Sequence, residues 1–212
     1  MLEKLNTPQA ITVSRPKQTV VNLASELCAW QEHPVLAEIG VGFGATTLEV
    51  AKAFDNRGEI HLFDFVESAN ELKSDLANLG YCNIHAHGNT QKYWDSYHWS
   101  LAALLKQGVS ERFDIMYIDG AHTYLHDALA FFMCDRLIKV GGVIVFDDWN
   151  WKFEQSAYMK RTRHEYMTPE QESSCQVGYV IDTLVKNHIG YEEIEENVVY
   201  KKIQSTTKQL NK

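Results

Sequence analysis

From about residue 20 the chain alternates between two hydrophobic periods. Val20, Val21, Leu23, Ala24, Leu27 and Trp30 recur at helical spacing, and after Pro34 the run Val35-Leu36-Ala37-Glu38-Ile39 has the apolar continuity of a buried strand. The spacing predicts a helix over 46–54, a strand over 59–64, a helix over 68–79 stopped by Gly80, and a third strand over 83–87. A helix over 99–106 and a strong strand over 113–119 follow. The next helix is predicted over 123–139, with Leu125, Ala128, Leu129, Phe132 and Met133 as its apolar face. Gly141-Gly142 then turns the chain into a fifth strand, Val143 to Phe146, ending at Asp147-Asp148. A last helix is expected over 176–187. A terminal β-hairpin is expected over 191–203, turning near Glu196-Asn197, with a frayed tail after Gln204.

Apolar strands bounded by helices imply a mostly parallel sheet covered on both faces. The expectation is an α/β fold: a doubly wound, Rossmann-like, seven-stranded sheet in three αβα layers, closed by a C-terminal hairpin. Residues 1–212 read as a single domain, with a helical N-terminal extension (1–34) and a polar, aromatic, irregular segment (150–175) suited to a substrate lid. No internal repeat or low-complexity tract interrupts it.

Composition narrows the field. The 212 residues carry 20 Lys and Arg against 28 Asp and Glu, a formal net charge of -8, which speaks against a nucleic-acid surface. No apolar run reaches the length of a membrane span, and Met1 to Asn6 lacks the apolar stretch of a signal peptide. Cys28, Cys82, Cys134 and Cys175 are scattered without zinc-ligand or redox spacing and read as reduced thiols. These features set the expectation of a cytoplasmic protein with neither nucleic-acid nor membrane partners. Self-association into a homo-oligomer is left open.

The first strand ends in Glu38-Ile39-Gly40-Val41-Gly42-Phe43-Gly44. Glycines at a strand-to-helix turn let backbone approach a ligand closely, and the helix N-terminus presents amides to it. Asp64, twenty residues after Gly44, ends the second strand, where a carboxylate can accept both ribose hydroxyls. Gly40-x-Gly42-x-x-Ala45 also satisfies a loose dinucleotide fingerprint. Glu38 weighs against that reading. A carboxylate inside an apolar strand costs several kcal/mol unless paired. A cationic ligand amine such as that of S-adenosylmethionine, or amides in the turn, would pair it, whereas the pyrophosphate of a dinucleotide would be repelled.

Further carboxylates gather at the sheet's carboxyl edge: Asp119 after the fourth strand, Asp147 and Asp148 after the fifth. Three of them at one rim call for a cation, and Mg²⁺ is the hard ion that oxygen ligands suit. Helix capping is the alternative use for Asp147 or Asp148. His122, three residues beyond Asp119, can serve as a general base, hold the cofactor or orient a carboxylate. His126 has metal-pair spacing from it, but no glutamate follows His122 as in zinc proteases. His85 and His87 share a strand face with nothing else converging on them in sequence, and read as structural.

The run Glu38-x-Gly40-x-Gly42-x-Gly44, then Asp64, then Tyr117-Ile118-Asp119-Gly120-Ala121-His122-Thr123-Tyr124, then Gly141-Gly142-Val143-Ile144-Val145-Phe146-Asp147-Asp148 resembles the class I S-adenosylmethionine-dependent methyltransferases. Within them it is similar to the small-molecule O-methyltransferases of the macrocin and catechol types, over roughly residues 35–149. The resemblance implies that Glu38, Gly40, Val41, Gly42 and Gly44 surround the methionine part of the cofactor and that Thr46 contacts its carboxylate. Asp64 would hold the ribose and Phe65 would lie against the adenine, whose edge Gly88, Asn89, Thr90 and Gln91 border. Asp119 and His122 fall at the cofactor as well. Asp119, Asp147 and Asp148 match the metal ligands of the macrocin type. The chain departs from both types at the base: the catechol type has lysine where His122 falls, and the macrocin type leans on the first aspartate. His122 and Asp119 both stay open for that role.

These readings converge on a Mg²⁺-assisted O-methyltransferase acting on a small hydroxylated molecule. The acceptor pocket is expected from residues 6–19 and from Trp149, Trp151, Phe153, Tyr158 and Tyr166. The rivals are a nicotinamide-dependent oxidoreductase and a non-catalytic binding module that retains the fold. A hydroxylase-like branch sharing the Asp-Asp strand is a further one.

Overall fold

The computed structural model describes residues 1–7 and 14–205. Seven strands form one sheet: β1 (Val35–Ile39), β2 (Glu59–Phe65), β3 (Ile84–Asn89), β4 (Phe113–Ile118), β5 (Ile138–Phe146), β6 (Tyr191–Glu195) and β7 (Val199–Lys202). Their order is β3-β2-β1-β4-β5-β7-β6. The first five strands run parallel and β7 inserts antiparallel between β5 and β6. The fold is the expected Rossmann-like α/β arrangement with a C-terminal hairpin.

Side-chain alternation along the strands sorts the helices into two layers. On one face Leu36, Ile60, Leu62, Ile115 and Tyr117 pack with α1 (Gln18–Trp30), α2 (Ala45–Phe54) and α3 (Val66–Asn78). On the other, Ala37, Ile39, Phe63, Met116 and Ile118 meet α4 (Tyr97–Lys106) and α5 (Tyr124–Leu137). Between β5 and β6, Pro169–Ser173 forms the short helix α6, and α7 (Gln176–Val180) continues through one π-helical turn, Ile181–Val185. α7 joins the second layer through Val177 and Val180. Strand order reverses between β1 and β4, so their carboxyl ends open the crevice in which such sheets bind ligands.

Two sequence expectations change. α5 stops at Leu137, because Ile138 pairs with Phe113 across an irregular register and already belongs to β5. Its buried face is only partly the predicted one, since Ala128 and Met133 pack against the core. Ala130, Phe131, Cys134 and Leu137 are buried, whereas Leu125, Leu129 and Phe132 are exposed. The buried face includes Asp127 and Asp135, and these two polar residues disguised it in the sequence. Asp135 faces the buried Lys202 ammonium at 3.3 Å and accepts from Tyr191 Oη at 2.9 Å. Neither carboxylate oxygen of Asp127 has a hydrogen-bond partner, and burial raises its carboxyl to about 7.

The four cysteines are free thiols, with Cys28 and Cys134 buried and Cys82 exposed. Among the described residues, no helix is long and apolar enough to cross a membrane. Part of the expected N-terminal pocket segment (8–13) and most of the expected frayed tail (206–212) fall outside the described residues.

Candidate functional site

A cavity of about 760 Å³ lies above the carboxyl ends of β1, β2 and β4, a size suited to a small-molecule cofactor. The glycine turn forms its floor. Gly40 has φ +85°, and a Cβ there would stand 2.0 Å from the Asp119 carbonyl oxygen, so only glycine lets the turn lie against the end of β4. The amide of Val41 donates to Asp64 Oδ2 at 2.8 Å and that of Phe65 to Oδ1 at 2.6 Å. These bonds fix the Asp64 carboxylate at the cavity wall, with lone pairs left over for a ligand.

Glu38 is buried at 2% exposure beneath the turn. Thr47 Oγ1 donates to its Oε2 at 2.5 Å. Burial, which the Thr47 bond only partly offsets, raises its carboxyl to about 8, with the charges of Asp64 and Asp147 adding to the rise. The cavity thus holds a neutral acid whose charged form awaits a cationic partner. The ammonium and sulfonium of S-adenosylmethionine fit that donor set, and Asp64 fits its ribose.

The rim carboxylates are held by the chain itself. Lys17 Nζ donates to Asp147 Oδ1 at 2.6 Å. Tyr117 Oη lies 2.7 Å from Asp147 Oδ2 and 3.0 Å from Asp119 Oδ2. One hydroxyl proton cannot serve two anions, and the arrangement is satisfied when Asp119 is protonated. Asp119 meets that condition: desolvation in the cavity, with the Asp147 charge beside it, raises its pKa well above the carboxylate range. Burial also works to raise Asp147, but the Lys17 ammonium and the Tyr117 hydroxyl outweigh it and hold that carboxyl below its ordinary value.

His122 Nε2 lies 3.7 Å from Asp119 Oδ1 and 3.8 Å from Asp148 Oδ2, too far for direct hydrogen bonds. Burial lowers its pKa against the pull of Asp148 and Asp147, which leaves a neutral imidazole facing the cavity. His122 and Asp148 both adopt left-handed backbone, at φ +53° and +48°. Such conformations cost non-glycine residues on the order of 1–3 kcal/mol and cluster at functional sites.

Asp119, Asp147 and Asp148 are oxygen donors of the kind Mg²⁺ takes, and an ion there would have to compete with Lys17. Asp147 is occupied by Lys17, and among the described residues the trio of metal-ligating groups whose donor atoms lie within 4.8 Å of one another is elsewhere, at Glu59, His61 and His85.

Of the expected cofactor residues, Glu38, Gly40, Val41, Gly42, Thr46, Asp64, Phe65, Asn89, Asp119 and His122 line the cavity, as do Asp147 and Asp148. Gly44 and Gly88 are not in its walls. A Cβ on Gly44 would strike Leu72 and one on Gly88 would strike Val66, so both serve packing. The aromatic segment is not the cavity lining it was expected to be. Phe153 is buried elsewhere, Trp149 packs in the core, and Tyr158 and Tyr166 are 90% and 70% exposed. Trp151 alone reaches the rim, with its ring centroid 5.7 Å from that of His122. Ala45, Gly120, Ala121 and His126 also line it, as do Ser14 to Lys17, within the expected N-terminal region, and Tyr93 and Asp95 to Tyr97, which carry no motif in sequence. The His85–His87 reading is also incomplete. His61 Nδ1 meets His87 Nε2 at 2.8 Å, His61 Nε2 meets Glu59 Oε2 at 2.8 Å, and Arg112 donates to Glu59 at 2.5 Å.

The sheet order, the glycine turn and the carboxylates around one cavity define a class I S-adenosylmethionine-dependent methyltransferase. The family model described as a methyltransferase domain matches residues 37–149, more than half of the chain, and the chain belongs to that family. No curated protein sequence matches it. Among solved structures, it is similar to an O-methyltransferase from Bacillus cereus in complex with S-adenosylhomocysteine (17% identity, 90% of this chain and 80% of that one, TM-score 0.62). A protein from Corynebacterium glutamicum aligns at 11% identity over 96% of this chain and 89% of its own, TM-score 0.63. The O-methyltransferase TomG from Streptomyces achromogenes, in complex with S-adenosylmethionine, aligns at 20% identity over 76% of this chain, TM-score 0.52. The alignment spans 64% of the TomG chain.

Proposed function

We propose that the protein transfers a methyl group from S-adenosylmethionine to a hydroxyl oxygen of a small acceptor, with His122 as the general base. The observation that carries this reading is the pairing, in one cavity, of a neutral imidazole at the rim with a buried carboxyl, Glu38, under the glycine turn. When bound, S-adenosylmethionine supplies an electrophilic methyl group on a positively charged sulfur. Glu38 and Asp64 would hold its amino and ribose groups. His122 Nε2 would take the proton of the acceptor hydroxyl, leaving that oxygen free to receive the methyl group, with S-adenosylhomocysteine as the other product. The Asp148 carboxylate, 3.8 Å from His122 Nε2, lies close enough to stabilise the imidazolium that results. Positioning by the cavity walls supplies most of the acceleration. Asp119, which holds its own proton, is the weaker candidate for the base.

The Mg²⁺ expected from sequence enters no step here. The Lys17 ammonium at Asp147 provides the positive charge at the rim, and an ion bound to Asp119, Asp147 and Asp148 would have to displace it. Phenolic and sugar hydroxyls are the acceptor chemistries to screen.

Calorimetry with S-adenosylmethionine, S-adenosylhomocysteine, NAD and NADP tests the cofactor, followed by transfer of a labelled methyl group to those acceptors. Binding of a nicotinamide cofactor without binding of S-adenosylmethionine would replace this reading by an oxidoreductase. Binding without transfer across the panel would favour a binding module.

A further inference from the structure

We propose that Glu59, His61 and His85 form a site for one Zn²⁺ ion, at the opposite end of β2 from the cofactor cavity. The parallel register pairs His61 with His85, which sets their imidazoles side by side on one face of the sheet, ring centroids 4.7 Å apart. Glu59 opens β2, whereas Asp64, five residues on, lines the cavity. At strand rise the two are about 16 Å apart, so the clusters are separate.

The geometry is close to that of a bound ion. Glu59 Oε2 is 2.8 Å from His61 Nε2 and 3.6 Å from His85 Nε2, and the three donor atoms lie within 4.8 Å of one another. Donors on a tetrahedral zinc with bonds of 2.0–2.2 Å stand about 3.3–3.6 Å apart. The required movement is about 1.5 Å at most, within the reach of His85, which is half exposed. Two imidazoles and one carboxylate suit Zn²⁺ better than a hard ion such as Mg²⁺, and exposed His85 beside half-buried Glu59 leaves room for a water as fourth ligand.

The surrounding groups resemble the outer shell of a metal site. Metal-bound histidines pass their second ring proton to a neighbour, and bound carboxylates are themselves hydrogen-bonded. His61 has His87 Nε2 at 2.8 Å from its Nδ1, whereas Arg112 donates to Glu59 Oε2 itself, so a bound ion takes over that oxygen and moves Arg112 to the other carboxylate oxygen. With zinc on His61 Nε2, the ring proton resides on Nδ1 and donates to His87, so the ion replaces a hydrogen bond without stranding a polar atom. Arg112 opposes the ion's charge and limits affinity. Zinc here would tie the edge strand β3, which ends at the cavity residue Asn89, to β2.

The test titrates chelator-stripped full-length protein with Zn²⁺ in competition with a chromophoric chelator, and separately with Co²⁺. One equivalent per chain is expected, with visible Co²⁺ absorption bands of tetrahedral intensity and a zinc-dependent rise in the melting temperature. His85→Ala and Glu59→Gln should lose all three. Asp147→Ala, at the cavity rim, should keep them. His85→Gln serves as a second variant if His85→Ala changes the melt of the metal-free protein. Absence of a bound equivalent in the wild type, or binding that survives at His85→Ala and falls at Asp147→Ala, overturns the proposal.

Discussion

Glu38 makes cofactor binding a pH-dependent event whose size can be worked out in advance. In the free protein its carboxyl is raised to about 8, chiefly by burial. A cofactor ammonium against it restores the charged form. At pH 7 a group of that pKa is about nine-tenths protonated, so binding should release about 0.9 proton. The apparent Kd scales with 1 + 10^(pKa − pH), so it should tighten about 50-fold between pH 6 and pH 8. The free protein responds in the opposite sense. Folded Glu38 holds its proton above the unfolded value of 4.5, so its effect on stability is neutral below that pH. Stability is then lost at about 1.4 kcal/mol per pH unit as the pH rises through the window up to about 8. Glu38→Gln should therefore raise the melting temperature of the free protein at pH 8 while weakening S-adenosylmethionine binding and flattening its pH dependence. Calorimetry in two buffers of different ionisation enthalpy, from pH 6 to 8, measures both affinity and proton release. A flat Kd with no proton release in the wild type would refute the reasoning, because Glu38 would then not be the ammonium's partner.

His122→Ala should lower kcat by about 10²–10⁴-fold while leaving S-adenosylmethionine affinity within a few-fold, and should abolish the acidic limb of the kcat profile. If Lys17 holds the rim charge, chelator treatment should leave wild-type methyl transfer intact. Lys17→Ala should then make transfer respond to added Mg²⁺; loss of wild-type activity on chelation would instead show that the ion displaces Lys17. Asp127 is buried without partners and raised to about 7. Its stability contribution is undiminished below pH 3.8 and lost as the pH rises through about 7, so Asp127→Asn should raise the melting temperature at pH 8 and have little effect at pH 4, as thermal melts would show.

The strands were legible because each is a short apolar run ended by a turn residue, and the ends of parallel strands must share an edge. That rule by itself puts Glu38, Asp64, Asp119 and Asp147 around one crevice. Lys17 was missed because it lies in coil far from every motif. Only tertiary structure brings it to Asp147, 130 residues on. The His61–His85 pair depends on strand register, which spacing within one strand cannot reveal. In α5, adjacent Phe131 and Phe132 offer two apolar faces, and the helical period chose the wrong one because the true face carries Asp127 and Asp135. The aromatic segment failed for a related reason. Composition showed that it was rich in rings, but not which way they point.

The left-handed backbone at His122 and Asp148 sets stability and chemistry against each other. Glycine would relax either position, at a gain of about 1 kcal/mol or more. It would also delete the imidazole or the carboxylate. A library selected only for heat resistance should accumulate glycine at these two positions, and one selected for turnover should purge it. The positions where the two selections disagree would then mark the reaction centre without any knowledge of the acceptor.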